Sequence, residues 1–149
     1  MKLVVQRVLN SKVEVEGKVV GQIEKGFMVL CGITHNDTEK EADILARKLC
    51  NLRVFEDENE KMNLSLKDVC GELLVVSQFT LYGDCRKGRR PSFSSAARPE
   101  VATKLYEEFI EKAKKEGIVT QTGMFGAHMM VDLTNDGPVT ILLESNRDF

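Results

Sequence analysis

The chain has 149 residues, 42% of them apolar and 30% charged, the balance of a soluble globular protein rather than a disordered or membrane-embedded one. Lysine and arginine total 21 against 23 aspartates and glutamates, a net charge of −2, so no overall basic field marks nucleic acid as the partner. Cys31, Cys50, Cys70 and Cys85 lack any CxxC spacing, which speaks against a zinc knuckle or a disulfide framework and for reduced thiols.

The length fits one domain over residues 1–149, with a core large enough to need no staples. No signal peptide precedes the first strand and no apolar run reaches membrane-spanning length, so a cytoplasmic protein without a membrane partner is expected. Residues 2–9 read as the first strand. Val13 and Val15 alternate with charged residues, and Gly17-Lys18 turns the chain into Val19–Ile23. Phe27–Ile33 is apolar throughout, the pattern of a central strand.

Thr38 and Glu41 have capping-box spacing, and Ala42, Leu45, Ala46 and Leu49 then form one apolar stripe, predicting a helix. Glu56–Lys61 reads as a solvated loop. Glu72–Val76 is short, apolar and partly β-branched, hence a buried strand. Pro99 suits the first turn of a second helix, Ala102, Leu105, Tyr106, Phe109 and Ala113 line one face of it, and Gly117 ends it. Two further strands are expected, about 129–134 and 139–143, joined by a turn at Asn135-Asp136-Gly137-Pro138. This order gives an α+β fold with two main helices packed on a mostly antiparallel sheet.

Candidate chemistry gathers in few places. Ser77-Gln78-Phe79-Thr80 ends the buried strand in two hydroxyls and a primary amide, and polar groups at a strand's end need partners or a cleft. Bonds to nearby backbone would satisfy them equally well. The loop Arg86-Lys87-Gly88-Arg89-Arg90 places four cations within five residues, followed by Ser92 and Phe93. Such a loop can grip phosphate through guanidinium forks while Phe93 stacks on a base, although charge runs also serve as solvated faces. His35 and His128 stand apart without a predictable carboxylate or nucleophile, so surface or capping roles are expected and neither a triad nor a metal site is indicated. Thr122–Ala127 reads as a loop whose two glycines permit tight turns.

Ser77-Gln78-Phe79-Thr80, the Arg86–Ser95 loop, Gly126-Ala127 with Met129, and Asn135-Asp136-Gly137-Pro138-Val139-Thr140 occur in that order. Together they resemble the bacterial-type D-aminoacyl-tRNA deacylase family, from Met1 to about Glu144. Cys85 and His128 stand where the family more commonly has Thr and Asp, outside its motifs. The resemblance implies a homodimer with a barrel-like sheet core that hydrolyses D-aminoacyl-tRNA, without cofactor or metal and with no DNA partner. It assigns the catalytic strand end to Ser77, Gln78, Phe79 and Thr80, and the substrate pocket to Phe125, Ala127, Met129 and Arg7. It further implies that a cis Gly137–Pro138 bond enters the partner's site to exclude L-amino acids, leaving achiral glycine able to pass. The tRNA-binding residues would be Arg86, Lys87, Arg89, Arg90, Ser92 and Phe93. An aminoacyl ester is already activated, so donors that hold its carbonyl suffice; Thr80 is expected to position rather than attack. The competing readings are a non-catalytic RNA-binding module and an esterase or thioesterase using Cys85 or Thr80.

Overall fold

In the computed structural model, which describes residues 1–146, the chain is organised on one long strand, β1 (Lys2–Val15). β8 (Met130–Glu144) pairs antiparallel with β1 along most of its length. The opposite edge of β1 is shared by β3 (Gly26–Gly32) and β2 (Lys18–Ile23), both antiparallel to it. β6 (Glu72–Ser77) then adds parallel to β3, and β7 (Thr120–Thr122) parallel to β6. The parallel additions follow from the chain order, since α1 (Glu39–Cys50) and α2 (Pro99–Lys115) each fill a crossover between the paired strands. β2 curls round to β7 and nearly closes the sheet into a barrel. At this seam a Cβ added to Gly21 would lie 2.3 Å from the carbonyl oxygen of Thr122, so only glycine permits the approach.

β3 and β6 are buried on both faces, which is why their sequences are continuous apolar runs. Phe27, Val29, Leu73 and Val75 face the helices, packing with Leu45, Leu49, Leu105 and Phe109. Met28, Leu74 and Val76 point into the barrel, meeting Val8, Val13 and Ile23, with Met129, Val131 and Leu133 against them. Both helices form as their sequences predict. The Thr38–Glu41 capping box is made, with Lys40 N donating to Thr38 Oγ1 at 3.2 Å and Thr38 N to Glu41 Oε2 at 2.7 Å. α2 starts on Pro99 and ends before Gly117, whose φ is +87°. The Tyr106 hydroxyl fixes α2 to the sheet by donating to the Val75 carbonyl at 2.7 Å.

Several elements differ from expectation. Residues 2–9 and the Val13–Val15 alternation belong to the single strand β1, whose in-out phase shifts near Val8. The two late strands are one strand, β8, and Asn135–Pro138 is not a hairpin turn. From Gln6 to Val8 is two positions, whereas their partners Thr140 and Asn135 are five apart, so β8 carries three extra residues as a bulge opposite Arg7. Pro138, which lacks an N–H, is tolerated there because the bulge stands outside the ladder. Asn135 stitches the bulge, its Oδ1 accepting from Val139 N at 2.8 Å. The Gly137–Pro138 bond is cis, as the resemblance implied. The expected loop Thr122–Ala127 gives up its first residue to a strand that was not foreseen, since Thr120–Thr122 pairs with the free edge of β6. Glu56–Lys61 lies largely in the turn of a small hairpin between β4 (Phe55–Glu56) and β5 (Met62–Leu64).

Candidate active site

β6 delivers its last residue, Ser77, to the rim of the barrel. Gln78 N still donates to the Cys31 carbonyl at 2.8 Å, and the chain then tightens into a 3-10 turn over Phe79–Tyr82. Gly83 closes this turn, its N–H donating to the Thr80 carbonyl at 2.9 Å. Gly32 makes room for it, because a Cβ there would stand 3.0 Å from Leu81 Cβ and 3.1 Å from the Gln78 carbonyl oxygen. On the facing side, Gly126 (φ +77°) bends the segment that links β7 to β8. Gly123 leaves space for the Met129 sulfur, which a Cβ would approach to 2.7 Å.

Between these two segments lies a cleft of about 270 Å³, lined by Val76, Ser77, Gln78 and Phe79 from one side and by Phe125, Ala127, His128, Met129 and their neighbours from the other. It is the open end of the barrel's inner apolar cluster, since Val76, Met129 and Val131 belong to both. Larger hollows exist elsewhere, but they are open surface grooves that hold none of the strand-end donors. Ser77, Gln78, Phe79, Phe125, Ala127 and Met129 are thus brought together from stretches some fifty residues apart in sequence. His128, expected on the surface or at a cap, is exposed but stands on the cleft's rim. Its signal in the sequence was its place between Ala127 and Met129.

Thr80 does not line the cleft; its hydroxyl accepts a hydrogen bond from Gln78 Nε2. Arg7, Gly137 and Pro138 do not line it either. Arg7 is buried beneath the β8 bulge, where Nε donates to the Asp136 carbonyl at 3.0 Å and Nη1 to the Val54 carbonyl at 2.7 Å. Carboxylates of Asp136 and Glu56 stand 3.6 and 3.8 Å from the guanidinium. A Cβ on Gly137 (φ +136°) would lie 3.2 Å from Arg7 Nη2 and 2.7 Å from Val139 Cγ2, so the bulge closes on the arginine only with glycine.

The basic loop is a surface hairpin closed by mutual backbone bonds of Asp84 and Ser92, at 2.7 and 3.0 Å. Asp84 takes the Arg86 fork through bonds of 2.9 and 2.8 Å, and these hold its carboxyl down to about 2. Arg86 is therefore already neutralised, whereas Lys87, Arg89 and Arg90 project into solvent. Phe93 packs edge-on against Phe79 at 5.2 Å instead of standing free, and Ser92 Oγ lies 3.2 Å from Ser94 Oγ. His35 Nε2 donates to the Ser94 carbonyl at 2.7 Å and Thr34 Oγ1 to the Ser95 carbonyl at 2.6 Å, tying the loop's foot to the end of β3.

Cys31 and Cys50 are buried, and burial pushes each thiol up to about 12, which leaves them inert packing. Among the described residues no three His, Cys, Asp or Glu side chains are grouped to hold a metal ion, and no helix is long and apolar enough to cross a membrane.

The molecule is a small α+β protein, two helices on a nearly closed sheet, whose cleft gathers the Gln78 amide and the Ser77 hydroxyl beside apolar side chains. The family model described as D-Tyr-tRNA(Tyr) deacylase matches residues 4–144. The chain is 65% identical over 149 residues to the D-aminoacyl-tRNA deacylase of Clostridioides difficile (strain 630) and 60% identical over 149 residues to that of Thermosipho africanus (strain TCF52B), each match spanning 100% of both chains. The chain belongs to the D-aminoacyl-tRNA deacylase family. A solved structure titled c-Myc DNA Unwinding Element Binding Protein superposes with a TM-score of 0.92 at 45% identity, covering 99% of this chain and 100% of that one. A probable eukaryotic D-amino acid tRNA deacylase shares the fold, with a TM-score of 0.82 at 18% identity over 95% of this chain and 97% of that one.

Proposed function

We propose that the protein hydrolyses the ester linking a D-amino acid to tRNA, in the cleft where Ser77-Gln78-Phe79 faces Phe125–Met129. The observation that carries this reading is the primary amide of Gln78 at the mouth of an apolar pocket, beside a turn whose first N–H groups have no carbonyl partner within it. An ester carbonyl placed there gains charge as water adds, and fixed donors stabilise that charge without any acid–base triad. Thr80 takes a positioning role. Its hydroxyl already accepts from Gln78, and an amide N–H cannot remove the proton that a nucleophilic alkoxide would have to lose. Val76, Phe125, Ala127 and Met129 receive the amino-acid side chain, and the reaction uses no metal.

Selectivity is proposed to come from a second copy of the chain, making each site a product of both. Gly137-Pro138 does not line its own cleft, and the bulge that carries it faces outward, braced from below by Arg7. Inserted beside the partner's Ser77–Thr80, that backbone would occupy the place of an L side chain while leaving room for hydrogen or a D side chain. Glycyl-tRNA is then hydrolysed too, and the physiological role is proofreading of chirality in the cytoplasm by a single-domain homodimer. Lys87, Arg89 and Arg90 hold the tRNA backbone. The solved relative named for DNA binding has the same fold, but a single basic loop on a chain of charge −2 suits the short acceptor end of tRNA better than a duplex.

The deciding experiment incubates the protein with D- and L-tyrosyl-tRNA, with and without a chelator, and a DNA oligonucleotide as competitor. Rapid release of D-tyrosine alone, indifferent to chelator and DNA, is expected. Equal release of both enantiomers, or binding without hydrolysis as in a plain RNA-binding module, contradicts the reading.

A further inference from the structure

We propose that His128 positions the substrate by meeting the phosphodiester that joins its last two nucleotides. The inference rests on the cleft being the site of ester hydrolysis and goes on to say which part of the RNA lies at its rim.

The cleft has a graded lining. Val76 is buried, Ser77, Gln78, Phe125, Ala127 and Met129 are half-buried, and Phe79, Gly126 and His128 are exposed at the edge. The reacting ester must reach the recessed donors of Ser77 and Gln78, so the aminoacyl group fills the apolar interior. The nucleotide that carries it is then left at the edge. There the structure offers two groups suited to a nucleotide. Phe79 is 58% exposed and is held upright by the edge-on contact with Phe93, a surface for a base or ribose face. The other is the His128 imidazole, an N–H donor in either protonation state and a cation when protonated.

Among the described residues lining the cleft, His128 alone is titratable or able to carry charge. β6, the 3-10 turn and the Phe125–Met129 segment contribute no other ionisable side chain to the lining. On the adjoining strands, Lys12 is paired with Glu14 at 2.9 Å and lies in the field of Asp132, so these charges answer one another. Within the cleft lining, an anionic phosphodiester arriving at the rim therefore has one group able to carry charge, His128, and the cations of the 86–90 loop are left for phosphates outside it. The α-ammonium of the amino acid carries the opposite sign and gains nothing from an imidazolium.

The test separates phosphate from the rest of the substrate. Wild type, His128→Ala and His128→Lys are compared on 3′-O-D-tyrosyl-adenosine, which has no phosphodiester, and on a D-tyrosylated CCA trinucleotide, which has. For His128→Ala the expected result is a KM about three- to tenfold higher on the trinucleotide, the size of one charged contact of about 1 kcal/mol, with kcat unchanged and no effect on the adenosine ester. His128→Lys, which places N–H donors and a positive charge at the same position, should restore the KM. An equal rise on both substrates, no rise on either, a fall in kcat, or failure of lysine to rescue would each overturn the proposal. Gln78→Ala run in parallel guards the premise. If it loses kcat as an oxyanion donor should while His128→Ala behaves like wild type, the cleft reading stands and only the phosphate contact falls. If Gln78→Ala turns over normally, the cleft reading itself fails and the phosphate contact with it.

Discussion

At the scale of single residues, Gln78 and Arg7 are both polar groups at the edge of a core, but they serve opposite ends. Gln78 spends its amide on Thr80 and faces a cleft, so it remains free to change partners when a carbonyl arrives. Gln78→Ala is expected to lower kcat by about 10²–10³-fold with KM little changed, the usual loss for one oxyanion donor. Thr80→Ala should keep substantial activity, read from single-turnover deacylation of D-tyrosyl-tRNA. A trapped acyl-enzyme on wild type would contradict that. Arg7 instead is buried, and its donors satisfy two backbone carbonyls, of Val54 and Asp136. Arg7→Met leaves both acceptors unpaired, at about 1–3 kcal/mol each, so a matching drop in urea-unfolding free energy is expected. Gly137→Ala pushes a methyl toward the same guanidinium from a φ of +136° and should cost about 1–3 kcal/mol, measured in the same way.

The elements show where a local pattern suffices and where it does not. α1 and α2 were legible because their signals, the Thr38–Glu41 box, Pro99, Gly117 and the apolar stripes, lie within one turn of the structure they specify. β8 was not. Asn135-Asp136-Gly137-Pro138 has every residue a hairpin turn favours, and what keeps the strand running is Arg7, 129 positions away, gripping the Asp136 carbonyl. β7 is Thr-Gln-Thr, without an apolar residue to declare it, and forms because β6 offers an open edge. The site was legible in part. The polar strand end at Ser77–Thr80 stood out by itself, whereas the stretch around Phe125–Met129 read as a plain loop, and only family resemblance joined the two before the fold did. The basic loop adds a finer point, because a run of cations in sequence does not say which of them is spoken for. The Asp84 carboxyl is depressed to about 2 by Arg86, so this pairing is complete above the ordinary aspartate range near 3.8 and is lost only as pH falls through about 2. At neutral pH Arg86→Ala should therefore change tRNA affinity less than Arg89→Ala or Arg90→Ala. Filter binding across a salt series would show the last two, and not the first, flattening the slope of log K against log salt.

For the molecule as a whole, the unbalanced feature is the outer edge of β8. The strand runs fifteen residues, pairs on one side with β1, and among the described residues has no partner on the other. Its outward positions include Met130 and Leu142, the latter 67% exposed. Long apolar edges left open promote association, and a second copy would cover this one. Leu142→Lys is expected to shift sedimentation from dimer toward monomer and to lower activity with it. A shared site makes a further prediction. Gln78→Ala and Gly137→Ala, each impaired by itself, should recover activity when the two are unfolded and refolded together, because a mixed dimer holds one site with an intact amide and an intact loop. Refolded mixtures as inactive as the parents would place the whole site within one chain.

The pairing of β1 with β8 also governs the order in which the molecule can be made. Among the described strands β1 leaves the ribosome before all the others and β8 after them, so one edge of the spine waits while everything between them is made. β2, β3 and the helical crossovers can assemble meanwhile, and the floor of the cleft on β6 exists before the wall supplied by Phe125–Met129. Contacts of such long sequence separation are slow to form, and an unpaired edge in the interval invites the wrong neighbour. Arg7 is synthesised before either of the carbonyls it will hold, and a guanidinium stays hydrated and solvent-facing until they arrive. Charges on an open edge discourage the wrong pairing, so the same guanidinium that braces the finished strand is suited to guard the unpaired one.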